Sequence, residues 1–119
     1  LDYLRELDVE LFISPQIVRE YLSATTRKQN GKTTPPVKTI IKNIEVFLSE
    51  FTIVQEDRSV LACLIGLIRE VPATGKQVHD ANIVATMMAN GISHLLTHNV
   101  SDFKRFTDRI ALVPLVENV

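Results

Sequence analysis

The segment GKQVHDANIVATMMANGISHLLTHNVSDFKRF, Gly75 to Phe106, passes from loop to helix to strand and back to helix. Its apolar periodicity predicts a helix from about Val78 to Asn90, with Gly91 at the position where a left-handed residue ends a helix. HLLT (His94 to Thr97) is then a short apolar run of strand length. SDFKRF, from Ser101, has the chemistry of a short capped helical turn. Helix, strand and helix in such close succession mark an α/β chain with parallel strands.

The same alternation extends outward. LFIS (Leu11 to Ser14) is a short strand candidate, and Ser14 and Pro15 supply an N-cap followed by a proline at the first helical position. The helix after them puts Ile17, Val18, Tyr21, Leu22 and Thr25 on one side and runs out near Arg27. RKQNGKTTPP is a polar loop, and Thr34 is the expected cap of a helix from Pro35 that aligns Val37, Ile40, Ile41, Ile44, Phe47, Leu48 and Phe51. TIVQ (Thr52 to Gln55) follows as a β-branched run. Asp57 or Ser59 then caps a helix through Leu61, Leu64, Ile65 and Ile68 that stops before Pro72. IALVPL is the last strand. At the opposite end, LDYLREL spaces leucines 1, 4 and 7 like the tail of a helix that begins upstream, or like a frayed amphipathic start. The expected fold is α/β with a mainly parallel sheet, in which function gathers at the carboxyl ends of the strands. The loops beginning at Ser14, Gln55 and Thr97 are therefore the places to look.

A chain of 119 residues fits one domain, residues 1–119, with enough interior for a core. Its 45% hydrophobic and 23% charged residues suit a folded soluble protein and argue against disorder. The single cysteine, Cys63, excludes a disulfide framework or a multi-cysteine zinc site, and its apolar helix face makes it a core residue. No apolar run reaches membrane-spanning length and no basic-then-apolar leader is present, so the cytoplasm is the expected setting. Walker-type, GxGxxG and GxSxG motifs are all absent, which removes the common nucleotide-binding and hydrolase signatures.

Three acids could carry chemistry. Asp80 falls within the apolar arc formed by Ala81, Ile83, Val84, Ala85, Met87 and Met88, where a carboxylate must be hydrogen-bonded, paired or metal-bound. The competing role is favourable placement in the first turn of a helix. Glu20 borders the apolar face of its helix, between Ile17 and Ala24, a place where most glutamates are simply solvated. Asp102 follows HLLT closely and could equally cap the turn containing Phe103 and Phe106; Asn99 and Thr97 add neutral oxygens at the same strand end. All three acids lie on helices or loops that start where a strand stops. Carboxylates meeting at one rim make a hard-oxygen site of the kind that takes Mg²⁺ or Mn²⁺ and activates water at a phosphodiester. The histidines do not join in: His94 and His98 straddle a strand, and His79-Asp80 lacks the additional histidines of an HD-type hydrolase. Arg27, Lys28, Lys32, Lys38 and Lys42, with no acid among them, and the smaller group Lys104, Arg105 and Arg109, would suit a phosphate backbone or a solvated surface.

ISPQIVREYLSATTR (Ile13 to Arg27) and the Gly75–Phe106 segment closely resemble PIN-domain proteins, above all the VapC-like ribonuclease toxins of toxin–antitoxin modules. The more specific part is HDA, a helix, and a strand ending in T-x-N-x-x-DF; the likeness covers nearly the whole chain. It implies a three-layer α/β/α fold with a central parallel sheet and a metal-dependent nuclease site built from four acids. By resemblance Glu20, Asp80 and Asp102 are metal ligands for Mg²⁺ or Mn²⁺, with Asn99 and Thr97 orienting water or the metal shell. Asn99 replaces Asp102 as the last acidic position in some members. Arg27, Lys28 and Lys32 are the expected RNA-binding residues, a protein antitoxin is the expected partner, and a homodimer the expected assembly. One element is missing. The family's first aspartate sits on an opening strand with an apolar-apolar-D-T/S pattern, and no such segment occurs here. Either residues precede Leu1 and carry it, or the chain is a catalytically inactive PIN-like remnant that binds protein or RNA. The gap left in the expected sheet is one that a second subunit or a swapped segment could fill.

Overall fold

Helix α1, Pro15–Thr26, begins where its sequence says it should. The Ser14 side chain accepts the N–H of Ile17 at 3.2 Å and Pro15 occupies the first turn, where a missing N–H costs nothing. The computed structural model describes residues 9–27 and 33–114. The leucine-spaced opening segment, Lys28 and Lys32 thus lie outside the described residues. Contacts divide the chain into two units, Leu1–Val54 and Gln55–Val119.

In the first unit, β1 (Phe12–Ile13) precedes α1, and α2 (Val37–Glu50) leads into β2 (Thr52–Ile53). The two strands pair in parallel, Phe12 opposite Thr52 and Ile13 opposite Ile53. Helix α2 is not capped by Thr34. Its N-cap is Pro36, without a side-chain bond, because each proline disfavours helical backbone in the residue before it and the pair delays the start to Val37. Its buried ridge is narrower than the pattern suggests: Ile40 and Ile44 are buried and Phe47 half-buried, while Val37, Ile41 and Leu48 are exposed. Phe47 meets Tyr21 of α1 edge-on at 5.5 Å, and Asn43 donates to the Tyr21 hydroxyl at 3.3 Å.

The second unit contains α3 (Arg58–Glu70), α4 (Gln77–Ala89), β3 (His94–Thr97), α5 (Val100–Phe103), a 3₁₀ turn (Lys104–Phe106) and β4 (Ala111–Pro114). Asp57, not Ser59, caps α3, accepting the N–H groups of Ser59 and Val60. Strands β3 and β4 are parallel, from His94 opposite Ala111 to Thr97 opposite Pro114. Val60, Leu67, Ala73, Ala81, Val84, Ala85, Met87, Phe103, Phe106 and Ile110 form one apolar cluster, with Cys63, Leu95 and Leu112 partly buried against it.

Two faces differ from the periodicity. Leu61 and Ile65 are 59% and 52% exposed, and Val60 and Leu67 are buried in their place. Helix α3 is apolar almost all round from Val60 to Ile68, so its pattern selects no face and packing against α4 does. On α4, Met88 is exposed and Thr86 buried; the Thr86 hydroxyl donates to the Asn82 carbonyl at 2.7 Å, which removes the cost of burying it. The turn expected from Ser101 begins one residue earlier, with Asn99 as its N-cap. Among the described residues no helix is long and apolar enough to cross a membrane. The α/β class holds, with every described strand in a parallel pair.

Candidate functional site

The first strand end turns into α1 through two polar residues that are both buried, Ser14 and Gln16. Ser14 is occupied by capping. Gln16 donates from Nε2 to Glu20 Oε1 at 3.2 Å, one helical turn along, and Glu20 carries its carboxylate to the exposed side. Arg27, at the C-terminal end of the same helix, is exposed.

After β2, Glu56 is half-buried and already engaged in an interaction. Asp57 is consumed by α3: besides the two backbone N–H groups, its Oδ1 accepts the Ser59 hydroxyl at 2.5 Å. That hydroxyl is the main reason its carboxyl lies below the ordinary value, ahead of burial, which opposes the shift, and the backbone donors.

At the end of β3, the Thr97 hydroxyl oxygen accepts the Asn99 N–H at 2.9 Å, a local turn that fixes the strand exit. Asn99 makes no side-chain cap, and Asp102, in the first turn of α5, is exposed rather than used as a cap. Asp80 lies in the first turn of α4, half-buried and already engaged in an interaction, immediately before the fully buried Ala81. Contrary to the sequence expectation, α4 follows α3 through a loop and does not start where a strand stops. Helix α4 touches α5, so Asp80 and Asp102 ride on neighbouring elements of one unit, whereas Glu20 belongs to the other.

The donor chemistry, carboxylates with a hydroxyl and an amide, suits a hard divalent cation. Among the described residues no group of three or more His, Cys, Asp or Glu side chains is gathered so as to hold a metal ion. Two arginines of the second basic group have partners within the fold. Arg109 pairs with Glu70, and Arg105 donates to the Pro72 carbonyl at 3.5 Å. Gln16 was not among the residues the sequence singled out. Its signal was available as a polar side chain four residues before Glu20 on the same helix.

No protein-family model matches the chain, and no curated protein matches it. Among solved structures, the 2.2 Å structure of VapBC-1 from nontypeable Haemophilus influenzae is similar to it with a TM-score of 0.63. The fold is shared. The likeness covers 88% of this chain and 74% of that one at 19% identity, and it agrees with the PIN-like α/β fold expected from the sequence.

Proposed function

We propose that this protein is a metal-dependent endoribonuclease of the PIN class and the toxin of a toxin–antitoxin pair, acting in the cytoplasm on RNA phosphodiester bonds. The observation that carries the reading is the fold likeness to VapBC-1 across 88% of the chain. It is supported by Asp102, which follows β3 on the side where α/β proteins hold ligands, and by Asp80 in the first turn of α4, an element that touches α5. In this reading Glu20, Asp80 and Asp102 are ligands for Mg²⁺ or Mn²⁺, and a further carboxylate from outside the described residues completes the set. The bound ion would supply Lewis-acid chemistry at the phosphodiester. Thr97 and Asn99 fix the β3 exit and orient water beside Asp102. Arg27, Lys28 and Lys32 hold the RNA backbone, a protein antitoxin is the partner, and the active assembly is a homodimer.

The test is RNA cleavage by the full-length protein with Mg²⁺ or Mn²⁺. Asp80→Asn keeps the side chain's shape and removes its charge, and is expected to lower the rate by about a hundredfold or more. Undiminished metal-dependent cleavage by this variant overturns the assignment. A second reading, an inactive PIN-like module that binds protein or RNA, is favoured by the lack of a three-acid cluster among the described residues. RNA binding without cleavage by the full-length wild type would select it.

A further inference from the structure

Gln16 is 5% exposed, although a primary amide is an expensive group to bury. An apolar side chain of the same length would fill that space with no polar atoms to satisfy. The amide is satisfied instead: Nε2 donates to Glu20 Oε1 at 3.2 Å, and a further interaction holds the residue. The two side chains lie four residues apart on α1, on neighbouring positions of one helix surface. Glu20 is exposed, and an exposed glutamate moves among several staggered rotamers of similar energy. A donor anchored in the interior selects one of them. Because the donor is a neutral amide, the carboxylate keeps its full charge, which a lysine or arginine in the same place would offset. The anchor itself is set by its neighbours, since Ser14 caps the helix and Pro15 fixes the backbone immediately before Gln16.

We propose that Gln16 is a positioning residue, whose buried amide holds the Glu20 carboxylate in the orientation used for divalent-cation binding. The proposal rests on the assignment of Glu20 to the cation site. Groups that orient a metal's ligands typically change affinity by ten- to a hundredfold when removed.

The experiment uses the full-length protein, with Mn²⁺ binding read by calorimetry and Glu20 side-chain order read by NMR relaxation. Gln16→Met matches the length of the buried side chain and removes the donor. It is expected to weaken Mn²⁺ binding about tenfold while the thermal melt stays cooperative, and to lower the Glu20 side-chain order parameter. Unchanged affinity in Gln16→Met overturns the proposal. So does a Glu20 order parameter in the wild type as low as that of a freely rotating surface glutamate, a measurement that needs no variant. Wild-type protein that fails to bind Mn²⁺ overturns the cation-site reading and this proposal together, a different result from wild-type binding that Gln16→Met leaves intact.

Discussion

Asp57 shows how local chemistry decides which acids remain available for anything else. The Ser59 hydroxyl and two backbone N–H groups converge on one carboxylate oxygen, and together they hold the carboxyl below its ordinary value of 3.8. A depressed folded-state value means that the ionised cap stabilises the fold above the unfolded-state value, and that this contribution fades as pH falls through the folded one. Asn is also a good N-cap, so Asp57→Asn isolates the charge. Urea melts from about pH 7 down to about pH 2 are expected to show the wild type more stable near neutrality, with the gap closing below about pH 4. The sequence left the cap open between Asp57 and Ser59, since either residue type can play that part. Coordinates resolve it by giving the serine a different job, as donor to the aspartate. The acids of the candidate site were visible as residue types, Asp102 just after a strand and Asp80 in a first turn. The glutamine four residues before Glu20 is an ordinary helical spacing that stands out only once its burial is known.

Helix ends were more legible than helix faces. Gly91 follows the α4 C-cap with φ +69°, its N–H donating to Met88 and the next N–H, of Ile92, to the Met87 carbonyl. These bonds form the left-handed closure that glycine favours. A β-carbon there would meet open space, so Gly91→Ala should cost only the backbone strain, about 1–2 kcal/mol in chemical denaturation. Ser14 with Pro15, and Val71 with Pro72, acted as similarly readable boundaries. Thr34 misled because a threonine before two prolines looks like a cap, while the rings themselves hold the chain extended for two further residues. Faces were harder to read wherever the polar side of a helix is missing, as on α3.

At the level of the whole molecule, burial separates residues that look alike in sequence. Phe106 is fully buried in the second unit's core, and Phe106→Ala should cost about 3–5 kcal/mol. Leu61→Gln and Ile65→Gln should each stay within about 0.5 kcal/mol of the wild type, because their side chains already face solvent and glutamine keeps the helix propensity. Urea denaturation of the three variants checks both statements, and large losses at Leu61 and Ile65 would restore the face that periodicity suggests. The fold class was readable because the strand–helix alternation is local. The proposed cation site was not, since Glu20, Asp80 and Asp102 are far apart along the chain and spacing carries no information about their distances in space.

Pro114, opposite Thr97 in the β3–β4 pair, has no N–H to give on either flank of its strand. Intermolecular zippering, in which one chain's strand templates the next, depends on an unbroken row of such donors. Fibre growth along β4 would lack a donor at that rung, so the ladder offers a shorter template for self-propagating aggregation.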